Sequence, residues 1–237
     1  MLGHTHALSG LVAGTAAGLV LHAGTSGTAD LAVLAAGFAV VPDLDKCGAT
    51  VSRSYGFLTE MFAWVIGRVS GGHRHGTHSI VGVGVFTGLA WLACTFDRDI
   101  AGRAGLGVIL AIGFASGLRA LRLAGHLADV LAIAGAVAVC WTGWHLALIP
   151  VAAAAGTAIH ILGDMLTVEG CPLAWPLSDR HMRILPYPLA FTTGTWREHF
   201  VVTPLLFVAL VWLGYRTATA IITPETLRAH LAGRIAP

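Results

Sequence analysis

The run from Leu127 to Gly163, LADVLAIAGAVAVCWTGWHLALIPVAAAAGTAIHILG, decides how this chain is threaded. A membrane-spanning helix needs about 20 mostly apolar residues, with about 17 at the short end. The run is too long for one crossing. Thr142-Gly143-Trp144-His145 is its natural turn, so the stretch predicts two helices, the fifth and sixth of the chain. A pair of crossings returns the chain to the side it left, which fixes where His160 and Asp164 arrive.

Working outward, residues 7–22 and 29–42 read as two short apolar helices joined by a Gly/Ser/Thr turn. Ser79 to Phe96 gives a third, residues 105–121 a fourth, and Phe200 to Gly214 a seventh. Tyr55 to Val69 carries Phe57, Leu58, Met61, Phe62, Val65 and Ile66 at helical spacing, the pattern of an interfacial or re-entrant helix. Residues 165–198, rich in Pro, Trp and Arg, read as an ordered loop. The expected architecture is an all-α polytopic membrane bundle of six or seven short transmembrane helices plus an interfacial helix. Residues 1–223 form one domain and residues 224–237 a short tail at the interface.

Composition agrees. Of 237 residues, 56% are hydrophobic and only 11% charged, against roughly a quarter charged in soluble domains; mean hydropathy is +0.77. A net charge of +2, with no basic stripe, excludes nucleic acid as a partner. The abundant Gly and Ala suit close helix packing in lipid. Cys47, Cys94, Cys140 and Cys171 are scattered and predict no disulfide. The N-terminus lacks a basic region and a clean cleavage site, so the first apolar segment reads as a retained helix.

Threading these helices brings every polar signature to one end of the bundle. Helix two returns to the starting side and delivers Asp43 and Asp45; His73 and His78 stay there; later pairs of crossings bring His160 and Asp164 back; His6 begins there. The loops on that side carry Lys46, Arg53, Arg68, Arg74, Arg119, Arg122, Arg180, Arg183 and Arg197. The opposite loops carry Arg98 and Arg103, and the tail has Arg216, Arg228 and Arg234. By the positive-inside rule the polar end faces the cytoplasm.

Ionisable groups are expensive near a bilayer, so their clustering is a functional hypothesis in itself. His160 and Asp164, four apart on a helix, lie on one face and can reach one ion, or cap the helix end. Asp43 and Asp45 follow Pro42 and are either ligands or part of a solvated Asx-turn. Gly72-His73-Arg74-His75-Gly76-Thr77-His78-Ser79 places three imidazoles ahead of a transmembrane helix. There His73 and His78 can ligate, Thr77 can donate to a substrate oxygen, and Arg74 matches a phosphate or carboxylate with its planar fork; ordinary capping of a His-rich helix start is the alternative. His4-Thr5-His6 precedes the first helix, with His6 facing the site and His4 a bystander. His22, His126, His145 and His230 read as structural or interfacial. Imidazole and carboxylate together suit zinc, then manganese or iron, better than calcium, and the number of candidates allows one or two ions.

These signatures, in this order, resemble the bacterial inner-membrane family described as LexA-regulated, membrane-bound metal-dependent hydrolases. The likeness rests on Thr5-His6-Ala7-Leu8, Pro42-Asp43-Leu44-Asp45, Gly72-His73-Arg74 with Thr77-His78-Ser79, and His160 through Thr167, continuing to Gly170, Pro172, Leu173, Trp175 and Pro176. His75 is a departure, an extra imidazole where relatives often have a small or apolar residue. The resemblance implies a multi-helix membrane fold and hydrolase chemistry, without naming a substrate.

The leading expectation is therefore a metal-dependent hydrolase of phosphoesters or other esters at the cytoplasmic interface. His6, Asp43, His73, His78 and Asp164 hold metal, and Asp45 and His160 are ligands or their supports. A carboxylate such as Asp45, or His75, serves as general base. Arg74, with Arg180 or Arg183, neutralises an anionic small-molecule or lipid substrate. Membrane lipids are the surrounding partner, with Trp175, Tyr187 and Trp196 as headgroup-level anchors. No G-x-S-x-G elbow and no H-E-x-x-H are present. A divalent-metal transporter or sensor, and a membrane scaffold stapled by metal, are the alternatives.

Overall fold

Pro42 stops the second helix, and the fold's polar end is built around that stop. In the computed structural model, which describes residues 1–122, 125–143 and 145–221, α1 (Gly3–Val20) and α2 (Gly24–Phe38) form an antiparallel pair. A 3-10 turn, Val41–Asp45, follows α2. The interfacial helix α3 (Phe57–Val69) and a second 3-10 turn, Gly76–His78, lead into α4 (Ile80–Thr95). Next come α5 (Ile100–Ala120), α6 (Gly125–Thr142) and α7 (Leu148–Met165). A π-helical turn, Glu198–Val202, runs into α8 (Thr203–Ile221). Trp144 of the expected turn, His230 and the tail at residues 224–237 lie outside the described residues.

Among the described residues, five helical segments are long and apolar enough to cross a membrane, and α4 is a shorter apolar helix. α2 is the most enclosed of these segments, gripped by α1, α5 and α7, whereas α6 and α8 expose most of their surface. Leu31, Leu34 and Phe38 of α2 meet Leu106 and Leu110 of α5 and Ile149 of α7 in the main core. Lipid tails are as apolar as leucine, so helices associate here through close packing rather than through escape from water. Gly14 of α1 and Gly156 of α7 allow it: a Cβ would lie 2.2 Å from the Leu31 carbonyl oxygen at one and 2.5 Å from that of Ala35 at the other.

Some boundaries differ from the sequence expectation. The first helix starts at Gly3 rather than after His6, so His4 and His6 are helical. The N–H groups of a helix's first turn need partners from outside it, and here the buried Glu198 carboxylate accepts from the Leu2 N–H at 2.6 Å. α5 likewise begins at Ile100, taking in Arg103. Residues 165–198 are ordered as expected: Val168 donates to Phe191 (3.1 Å), and Cys171 and Met182 exchange backbone bonds at 3.2 and 2.8 Å. All four cysteines are free thiols.

Candidate metal centre

Five side chains from four elements meet at the polar end of the bundle. His160 and Asp164 occupy the last turns of α7, and His6 the first turns of α1. Asp43 lies in the turn after α2, and His78 in the turn before α4. The His6 and His160 rings stack with centroids 3.7 Å apart. His6, His78 and His160 are each 0% exposed and Asp164 1%. Burying this many ionisable groups costs several kcal/mol per charge unless opposite charge and hydrogen bonds compensate.

The hydrogen bonds fix which nitrogen of each imidazole faces inward. His160 Nδ1 donates to the Ala39 carbonyl at 2.7 Å, which leaves Nε2 as its acceptor nitrogen. His78 Nδ1 donates to Thr77 Oγ1 at 2.9 Å, and that hydroxyl passes the bond on to Asp45. The two Nε2 atoms then face each other 3.1 Å apart. Asp43 Oδ1 stands 3.6 Å from His78 Nε2 and 3.8 Å from His160 Nε2, and Asp164 Oδ2 is 3.8 Å from each. His6 Nε2 is 3.3 Å from Asp164 Oδ1, yet neither of its ring nitrogens makes a hydrogen bond.

Imidazole nitrogens and carboxylate oxygens gathered around one point, with a single hydrogen bond of 3.1 Å between the two Nε2 atoms, are a donor set that an ion would satisfy. A tetrahedral ion with bonds of about 2.0–2.1 Å holds its donor atoms about 3.3 Å apart. The separations here, 3.1 to 3.8 Å, bracket that value. Three overlapping groups qualify, His6–His160–Asp164, Asp43–His78–His160 and Asp45–His73–His78, their donor atoms all within 4.8 Å of one another. The residues fit one or two divalent ions of unspecified identity. Outward-facing Nδ1–H groups held by a carbonyl and by a hydroxyl–carboxylate relay are the usual supports of ligating histidines.

Asp45 sits just outside this knot and accepts three hydrogen bonds. Its Oδ1 takes His73 Nδ1 at 2.8 Å, and its Oδ2 takes the Arg74 N–H at 3.0 Å and the Thr77 hydroxyl. Burial by itself lowers the pKa of His78, but hydrogen bonds and charge from Asp43 and Asp45 outweigh it and raise the value to about 9. Arg74 is buried and adopts a left-handed φ of 60°, a conformation that costs about 1–3 kcal/mol and gathers at functional sites. That turn sends its guanidinium to Asp164 Oδ2 (3.0 Å) and Glu169 Oε2 (2.7 Å). The Met1 ammonium also pairs with Asp164.

The structure brings His6, Asp43, Asp45, His73, Arg74, Thr77, His78, His160 and Asp164 together. His75 points elsewhere: its ring lies against His181, with centroids 6.3 Å apart. Arg180 and Arg183 line a separate pocket beside it. His4 stacks on His199, and His145 pairs with Asp30. Sequence reasoning missed Glu169 and Glu198. Glu198 was findable, because an acid opening an apolar span of 23 residues demands an explanation. Glu169 carries no such signal in its polar loop.

No curated protein and no solved structure matches the chain. The family match covers residues 1–224, and its description speaks of inner-membrane residence, not of hydrolysis or LexA regulation. With its apolar helices, this multi-pass chain belongs to the YdjM inner membrane protein family.

Proposed function

We propose that the protein is a metal-dependent hydrolase acting on a phosphoester or other ester at the cytoplasmic face of the inner membrane. The observation that carries this reading is the meeting of His78 and His160, Nε2 to Nε2 at 3.1 Å, between the Asp43 and Asp164 carboxylates. Zinc suits this mixed donor set, with manganese or iron next. When bound, such an ion supplies Lewis acidity and lowers the pKa of water to about 7. The excess of Lys and Arg on the site's side supports the cytoplasmic orientation.

The chain's own groups divide the remaining work. Asp45 and Thr77 hold His78 in the tautomer that presents Nε2, and the Ala39 carbonyl does the same for His160. Asp45, which accepts from His73, Arg74 and Thr77, serves as the positioning carboxylate. Asp43 keeps a side chain 20% exposed and is the carboxylate placed to accept the proton of attacking water. The water oxygen bonds to phosphorus or acyl carbon, the ester bond breaks, and the proton held by Asp43 goes to the departing alcohol. Arg74, at the rim between Asp164 and Glu169, offers N–H groups to charge developing on the substrate. Transport is disfavoured because the donors gather at helix ends, where alternating access would need them near the midplane.

The test is turnover of a soluble chromogenic phosphodiester and carboxylic ester by zinc- or manganese-loaded protein in detergent. Arg74→Lys is expected to keep its metal and lose about 10–100-fold in turnover, since an ammonium does not reproduce the planar fork. Absence of turnover in fully loaded wild type would overturn the reading.

A further inference from the structure

An apolar groove between α3 and α4 reaches Thr77, the neighbour in sequence of His78. Its walls are Val65 and Ile66 of α3 and Val81, Val85 and Leu89 of α4, and Trp175 closes one end. Its floor is Gly76-Thr77, and Thr77 is the residue whose hydroxyl bonds Asp45. The cleft, about 370 Å³, exists because α3 packs on the Val41–Asp45 turn rather than along α4. Gly82 meanwhile draws the start of α4 onto Gly76 and Thr77, where a Cβ would lie 2.5 Å from both carbonyl oxygens.

On the far side of Trp175 the surface changes character. Ala174 borders a second pocket, about 640 Å³, with Arg180, His181, Arg183 and Tyr187 in its lining. This pocket abuts the site's rim: His181 donates to the Glu169 carbonyl at 2.9 Å, and Glu169 holds Arg74. The neighbouring residues Ala174 and Trp175 thus line a basic bowl and an apolar slot respectively; the slot reaches Thr77, which bonds Asp45, and the bowl reaches Glu169, which pairs with Arg74.

We propose that the substrate is a membrane lipid with an anionic headgroup, one acyl chain lying in the α3–α4 groove and the headgroup in the Arg180–Arg183 pocket. The assignment rests on the hydrolase reading for what happens to the lipid, but the binding site is testable without it. Slot and bowl match the two halves of such a molecule in polarity and charge, and the groove opens where lipid already is. Binding energy from the non-reacting acyl chain would then serve to orient the ester at the metal centre.

The experiment uses the full chain in phosphatidylcholine nanodiscs containing phosphatidylglycerol with a photoactivatable diazirine at mid-chain, and maps adducts by mass spectrometry. Labelling of Val81 to Leu89 is expected to exceed that of the exposed face of α8 by about fivefold, equivalent to about 1 kcal/mol. Val85→Trp should abolish this enrichment, and Arg180→Glu with Arg183→Glu should remove the preference over a phosphatidylcholine probe with the same chain. Equal labelling of α4 and α8, or enrichment that survives Val85→Trp, overturns the proposal. Selective labelling with no hydrolysis of either the bound lipid or soluble esters by the metal-loaded protein would leave the lipid site standing and remove the hydrolase reading.

Discussion

Two histidine–aspartate contacts at different places in the bundle show that residue type does not make this site. His145 Nδ1 lies 2.5 Å from Asp30 Oδ2, both side chains about a third exposed, at 35% and 34%. His78 faces Asp43, Asp45 and Asp164 at longer distances, 3.3 to 3.8 Å, with its own side chain 0% exposed. The shorter contact is the less consequential one. In a half-exposed pair, water and salt screen the charges. At the buried end the imidazoles are shut off from bulk solvent, and several carboxylates and imidazoles depend on one another for compensation. Longer separations there are those of donors arranged around a common point.

Short of removing an inward-facing donor, the largest effect should come from loosening the support of that arrangement. Asp45→Asn leaves every inward-facing donor in place but weakens the Thr77 relay to His78, and loss of such a support lowers metal affinity by about 10–100-fold. Competition with a chelator of known affinity measures it. An unchanged affinity would return Asp45 to the rank of an ordinary polar contact like Asp30.

The pH dependence sharpens the same contrast. The His78 pKa is raised from 6.5 to about 9 in the metal-free protein. Its contribution to stability is therefore full below pH 6.5 and is lost as the pH rises through about 9. Metal must displace that proton, so apparent affinity should climb about tenfold per pH unit between those values. Calorimetry at pH 7.5 in buffers of different ionisation enthalpy should show about one proton released per metal taken up at this site. No release would mean that His78 does not ligate.

The smallest effect belongs to the exposed pair. Asp30→Asn should cost less than about 1 kcal/mol and leave metal content untouched. A loss of metal from this variant would break the comparison outright, because it would tie the His145–Asp30 pair to the site.

Much of this was legible in the sequence, for a physical reason. A bilayer allows few ways to thread apolar segments, so the helix count, with Leu127–Gly163 split at one turn, put His160 and Asp164 on the same side as His6, Asp43 and His78. Hydropathy could not say where α1 begins, because its first turn is held by Glu198 from the far end of the chain. Nor could spacing separate the roles of Asp43 and Asp45, two residues apart on a tight turn. Asp43 faces the imidazole Nε2 atoms while Asp45 accepts from the following loop, a choice made by the path of residues 73–78. His75 shows the limit from the other side: the motif offered three imidazoles, and the left-handed turn at Arg74 sends one of them to His181.

The central claim is that buried convergence makes a metal site. The most direct test is elemental analysis of wild type purified in mild detergent without chelator, then reloaded with zinc or manganese, beside Asp164→Ala and Asp30→Asn. The account predicts one or two ions per chain in wild type and in Asp30→Asn, and their loss from Asp164→Ala while that protein still fractionates with the membrane. Wild type that takes up no metal, or Asp164→Ala that keeps full occupancy, would contradict it.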